Sequence, residues 1–180
     1  MKHVFIVVAL LISLPTWATG TSKKKHTPVM KAAASGQVQE LKSLIAKKSN
    51  LNTKDKNGNT ALFFAISNDH TEAAKILIEG GAELTNFNEN GDSALVTAVS
   101  FNNTTLIELI LKKKPALLNL INPDKQTPLM KAAEVGSVET VRLLVSAGAD
   151  LKARDKFNRT AYDIAKESQN NESLEFLKPK

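Results

Sequence analysis

The sequence predicts an all-α repeat, a solenoid of about five helix-turn-helix units linked by β-turn fingers. The first ground is periodicity. Five segments line up: Thr27-Pro28-Val29-Met30-Lys31-Ala32-Ala33, Thr60-Ala61-Leu62-Phe63-Phe64-Ala65-Ile66, Ser93-Ala94-Leu95-Val96-Thr97-Ala98-Val99, Thr127-Pro128-Leu129-Met130-Lys131-Ala132-Ala133 and Thr160-Ala161-Tyr162-Asp163-Ile164-Ala165-Lys166. Their opening hydroxyl residues are spaced 33, 33, 34 and 33 apart. A period of that size marks stacked supersecondary units that bury a continuous core only together, and about three suffice for stability. The second ground is composition. Apolar residues make up 42% of the 180 and aromatics only 5%. The core must therefore be built from Ala, Leu, Ile and Val, which suits thin, closely packed helices better than a sandwich or barrel.

Each element of the unit has a physical reason. The Thr or Ser that opens a segment suits a helix N-cap, its hydroxyl accepting from an orphan backbone N–H. Pro28 and Pro128 then occupy the first helical position, where a missing N–H costs nothing. Ala32, Ala33, Ala65, Ala98, Ala132, Ala133 and Ala165 lack bulk, so neighbouring first helices can approach closely. The second helices carry larger apolar stripes at helical spacing: Val38, Leu41, Leu44 and Ile45; Leu106, Leu109 and Ile110; Val138, Val141 and Leu144. Gly81 and Gly148 are placed to end their helices in the left-handed conformation. Asn57-Gly58 and Asn90-Gly91 are tight-turn signals for the fingers.

These segments, with Gly80-Gly81-Ala82-Glu83-Leu84, Ala147-Gly148-Ala149-Asp150-Leu151 and the finger Asp55-Lys56-Asn57-Gly58-Asn59-Thr60, resemble ankyrin repeats from about Thr27 to Leu177. The family's histidine in the first helix is replaced by Met30, Phe63, Val96, Met130 and Asp163. One extra residue near Lys112-Lys113-Lys114-Pro115 predicts a bulged connection after the third unit. Lys125 and Asn158 stand where the finger glycine is expected. Lysine adopts that backbone geometry at some cost, so the turn before the fourth unit is expected to be the least regular. The units run at about 27–58, 59–91, 92–125, 126–158 and 159–180, with polar ends that suit terminal caps.

Ahead of them, residues 1–18 read as a signal peptide and 19–26 as a polar tail. Lys2 and His3 form a short polar start, and Val4 to Leu14 is apolar except for Ser13. Pro15 and small residues follow, and cleavage is expected after Ala18 or Gly20. The apolar run is too short for a bilayer, which takes roughly 20 residues, so no stable membrane anchor is expected after cleavage. Sequons at Asn102, Asn103, Asn158 and Asn171, and the lack of disulfides, favour a bacterial periplasm over a eukaryotic secretory route.

The chemistry is as informative for what it omits. Without cysteine there is no thiolate zinc site and no Cys nucleophile. The three histidines, His3, His26 and His70, lie far apart, and His70 matches a structural position at the start of the second helix in the family. No metal-binding, nucleophile-elbow or phosphate-loop motif occurs. A carboxylate pair such as Glu89 and Asp92 reads as solvated or turn-capping. No catalytic residue, cofactor or metal is therefore expected. The net charge of +6 is mild, and the lysine clusters (Lys23 to Lys25, Lys47-Lys48, Lys112 to Lys114) are not interleaved with stacking aromatics, so nucleic acid is not expected.

What the resemblance implies is a monomeric protein-protein interaction module, periplasmic or secreted, that holds its partner on the concave face of fingers and first helices. Large apolar residues at positions normally polar are Phe87, Phe101, Ile121 and Val135, with Phe157 one unit on. Glu89, Asp92, Lys56 and Arg154 are the charged candidates around them. An apolar centre with a polar rim is the usual arrangement of a binding hot spot. Delivery to a host cell as an effector, or a role as an enzyme or enzyme subunit, are the alternatives.

Overall fold

Helices as short as those of this chain do not stand alone. The computed structural model describes residues 26–178. The first helices are α1 (Pro28–Ala34), α3 (Ala61–Ser67), α5 (Ala94–Ser100), α7 (Pro128–Val135) and α9 (Ala161–Glu167). Their partners are α2 (Val38–Ala46), α4 (Thr71–Glu79), α6 (Thr104–Lys113), α8 (Val138–Ser146) and the brief α10 (Leu174–Leu177). No strand occurs among the described residues. At 4 to 10 residues each, all fall below the roughly 12–15 at which an isolated helix becomes marginal in water. Stacking must supply the stability. The expected leader, and all of the tail except His26, lie outside the described residues.

The first helices form one row, α1 against α3, α3 against α5, α5 against α7 and α7 against α9. Ala32, Ala65, Ala98, Ala132 and Ala165 are each 0% exposed in that row. The second helices form the other layer and bury Leu41, Leu77, Leu106, Ile110, Val141 and Leu144.

Thr27, Ser93, Thr127 and Thr160 cap their helices, each accepting from the backbone N–H three residues on at 3.2–3.3 Å. Thr60 is the exception: its side chain makes no cap bond with α3. Asp163, standing in for the family histidine, returns the favour to Thr160 by accepting from its N–H at 2.9 Å and its hydroxyl at 2.8 Å. His70 is structural in this arrangement, with Nε2 3.0 Å from the Ala34 carbonyl oxygen.

Every finger is built on the same scaffold. Asp55, Asn88, Asn122 and Asp155 each use Oδ1 to accept from two backbone N–H groups, two and four residues on. The left-handed position is filled by Gly58, Gly91, Lys125 and Asn158, with φ of 75°, 76°, 60° and 63°. The expected irregularity before the fourth unit is therefore corrected: Lys125 N donates to the Asn122 carbonyl at 2.9 Å, as its counterparts do. The Asn122 side chain holds the turn firmly enough to accommodate lysine. The irregularity sits upstream. The extra residue lets the chain form a 3₁₀ turn at Pro115–Asn119, which buries Leu117 and packs on α6 and α7.

Neighbouring units are also tied by polar contacts, and these are uneven. Glu89 N donates to the Asn57 carbonyl at 2.9 Å, and Lys156 N to the Asp124 carbonyl at 3.0 Å, linking finger to finger. Between the third and fourth fingers the equivalent donor position is Pro123, which has no N–H. The loop ties repeat the gap. Asn52 Oδ1 accepts from Glu83 N at 2.8 Å and Asn119 Oδ1 from Asp150 N at 3.0 Å, with no counterpart between them among the described residues. The tie at the helix hinges is shortest between units two and three (Asn103 to Thr71, 2.6 Å) and longest between three and four (Thr140 to Asn102, 3.5 Å).

The fifth unit's finger carries the most buried ion pair among the described residues. Asp155 Oδ2 accepts from Arg159 Nη2 at 2.7 Å and Nε at 3.0 Å, and Arg159 reaches on to Glu167 at 2.6 Å. Burial alone would raise the Asp155 carboxyl, but the Arg159 guanidinium and the N–H groups of Arg159 and Phe157 overcome it and hold it below the usual carboxylate range. Asp155→Ala is expected to lower stability by about 2 kcal/mol, since it strands two backbone donors and the arginine. A depressed folded value stabilises fully above the ordinary aspartate range near 3.9 and is lost as pH falls through the lower folded value. The gap between wild type and variant, measured by urea unfolding, should hold from neutral pH to about 5 and shrink below about 4.

Candidate functional site

The face made by the fingers and the first helices carries the candidate residues, but it does not gather them into one patch. Phe87 and Ile121 occupy equivalent positions just before the Asn88 and Asn122 that head their fingers. Phe101 and Val135 occupy equivalent positions at the far ends of α5 and α7. A seven-residue helix separates the two rows, about 10 Å at 1.5 Å per residue. The rows also differ in exposure. Phe101 is 52% exposed, Val135 38% and Ile121 53%, whereas Phe87 is half-buried. Phe87 is thus partly committed to packing, and Phe101 with Val135 forms the freer apolar pair on adjacent helices.

Phe157 stands at the tip of the fifth finger and is 65% exposed. Lys156 and Arg159 sit over its ring at 5.0 and 5.1 Å from the centroid. Both cations lie within cation–π range, and the ring still presents apolar surface to solvent, an arrangement suited to an amphipathic contact. Arg154 is exposed and donates to the Asn158 carbonyl at 2.7 Å. Lys56 and Glu89 are exposed on the second and third finger tips.

Between the two apolar rows lies polar ground. A pocket of about 260 Å³ opens between units three and four, lined by Asn90, Asp92, Val96, Asn122, Gln126, Thr127 and Lys131. Asp92 is half-buried in it and makes no ion pair among the described residues. Burial pushes its carboxyl above the ordinary value, opposed by the Lys131 charge and by Asn88. Lys131 itself is turned to Glu134, at 3.0 Å. The expected apolar centre is therefore a polar pocket with apolar residues at either end. Asn122, Gln126 and Lys131 did not stand out in the sequence, because polar residues in fingers are ordinary. The readable signal was Pro123, which interrupts a column of residues otherwise able to donate.

Among the described residues no three His, Asp or Glu side chains converge as metal ligands, and no helix is long and apolar enough to cross a membrane.

A family model described as "Ankyrin repeats (3 copies)" matches residues 3–88, 29–118 and 95–180, overlapping spans that together take in nearly the whole chain. Among curated proteins, the chain is 40% identical over 70 residues to the NF-kappa-B inhibitor cactus of Drosophila yakuba, covering 38% of this chain and 14% of that protein. It is 36% identical over 63 residues to Alpha-latrotoxin-Lh1a of Latrodectus hasselti, covering 35% of this chain and 5% of the toxin. It is 32% identical over 69 residues to the serine/threonine-protein kinase VIK of Arabidopsis thaliana, covering 38% and 16%. The chain spans less than a fifth of each of these relatives, so the likeness concerns repeats and not whole proteins.

The difference in exposure separates binding from packing. Phe101→Ala and Val135→Ala are each expected to change unfolding free energy by no more than about 0.5 kcal/mol, as exposed substitutions usually do. Phe87→Ala should cost more, about 1–2 kcal/mol, because half of its surface is packed. Urea denaturation of the three variants checks the order.

Proposed function

The chain belongs to the ankyrin-repeat family, whose repeats are protein-protein interaction modules, and on that footing we propose that it is a non-catalytic binding protein that acts after export. The observation that carries the binding reading is the exposed pair Phe101 and Val135, 52% and 38% exposed at equivalent positions of adjacent first helices. Apolar groups of that size stay in water at a cost of about 25 cal/mol per Å² of apolar surface. Their recurrence at one register in successive units supports a shared contact. The helices and fingers are already hydrogen-bonded, so docking would order little and retain most of its contact energy.

The partner is a protein, met on the finger-and-first-helix face by a single copy of this chain. Support for export comes from the leader-like start, with Val4 to Leu14 apolar and small residues around Ala18, and from the absence of cysteine. The periplasm is the compartment that best fits both.

The test is crosslinked capture from a periplasmic fraction of the native cell, with wild type and a Phe101→Ala/Val135→Ala double variant. One protein crosslinked by wild type and lost with the folded variant is the expected result. Capture of the same protein by both would move the interface away from this pair. Absence of the chain from the fraction would overturn the export reading and favour delivery elsewhere.

A further inference from the structure

We propose that the pocket between the third and fourth units is an anchor site for a basic side chain, an arginine of the bound partner, held by the Asp92 carboxylate and the Asn90 backbone carbonyl. The proposal rests on the protein-binding reading above and names the chemistry of its ligand.

Pro123 breaks the pattern of finger-to-finger bonds. At the second-to-third and fourth-to-fifth finger steps, an amide donates across to the preceding finger, at 2.9 and 3.0 Å. At the third-to-fourth step the Asn90 carbonyl holds the acceptor register, but Pro123 cannot supply the donor. Among the described residues no group donates to that carbonyl. Pro123 instead packs against Gly91, where an added Cβ would lie 3.3 Å from its Cδ. The sheet-like zipper of fingers is left open at one rung, and the open rung borders the pocket that Asn90 lines.

Asp92 lines the same pocket. Its backbone is spent on the finger, accepting from Asn88 N at 3.1 Å and donating to Asn88 Oδ1 at 2.9 Å. Its carboxylate, half out of water, has no salt-bridge partner among the described residues. The nearby cation, Lys131, is paired with Glu134 at 3.0 Å. Asn122 Oδ1 is fully used by Asp124 N and Gln126 N. The pocket therefore offers a carboxylate that feels Asn88 and the Lys131 charge but has no ion pair, and a carbonyl without a donor among the described residues. A planar cation with several N–H groups is the group that satisfies two acceptors at once, and guanidinium does so with fixed geometry. The apolar residues at the two ends of the seam, Ile121 on one side and Phe101 with Val135 on the other, would then meet what flanks that arginine.

The test is NMR titration of the 15N-labelled full-length chain with N-acetyl-arginine amide, using the neutral isostere N-acetyl-citrulline amide and N-acetyl-glutamate amide as controls. The expected result is saturable shifts of the amides around Asn90–Val96 and Asn122–Lys131 with the arginine probe alone. Asp92→Asn should weaken that binding by roughly tenfold, the loss of one charge-assisted bond. Pro123→Ala, which supplies an internal N–H for the Asn90 carbonyl, should weaken it too. An amide spectrum matching wild type outside the pocket certifies that each variant is folded. Shifts spread over other surface carboxylates, or unchanged in Asp92→Asn, would overturn the proposal, as would equal response to citrulline. Preference for the glutamate probe would show that Lys131, and not Asp92, defines the ligand. If the probe fails while the capture experiment still yields a partner lost with Phe101 and Val135, the anchor falls and the binding reading stands.

Discussion

Neighbouring first helices sit side by side because the residue between them is alanine. Ala32, Ala65, Ala98, Ala132 and Ala165 form a column with no exposed surface, and any larger side chain there would hold the helices apart. Everything else is arranged around that approach. It sets the spacing at which fingers can hydrogen-bond to one another, and it allows helices of seven residues to persist although none is long enough to be helical alone. Alanine serves the contact between first helices, while larger apolar side chains from both layers fill the wider space, Leu62, Leu95 and Leu129 from the first helices and Leu41, Leu106 and Leu144 from the second.

This division of labour explains why the fold was legible. The alanines, the opening Thr or Ser and the terminal glycines answer to backbone geometry, which allows few alternatives at each position. Gly81 and Gly148, at φ of 89° and 92°, could be placed from the sequence because glycine takes a left-handed backbone without a Cβ penalty, although Lys48 holds the equivalent position of the first unit at φ 55°. Lys125 shows the limit. Its left-handed backbone was foreseen, but the finger around it is as well formed as the others, because Asn122, three residues earlier, supplies the bonds that hold the turn. Thr60 shows a second limit: it holds the N-cap position of α3 with the extended backbone of a cap, yet its side chain makes no cap bond.

The site was harder to read, for a physical reason. Position in the repeat assigned Phe87, Phe101, Ile121 and Val135 to one face, but a face is wider than a patch. Phe87 and Phe101 stand at opposite ends of α5, and the ground between them is polar. Linear sequence carries register along the solenoid well and distance along the helix axis poorly. Desolvation of Asp92 depends on packing from two units at once and has no local signature in the residues beside it.

In a linear array each unit feels only its neighbours, so cooperativity is transmitted junction by junction. The missing finger rung at Pro123, the absent loop tie and the long 3.5 Å hinge contact all fall at a single junction. Among the junctions between units that carry fingers, that one has the fewest polar ties. By their polar ties the fingered units therefore form two blocks, the second with the third and the fourth with the fifth. Partial opening at low denaturant would part the blocks there before either melts, and a partner spanning the join would act as the staple that makes five repeats unfold as one.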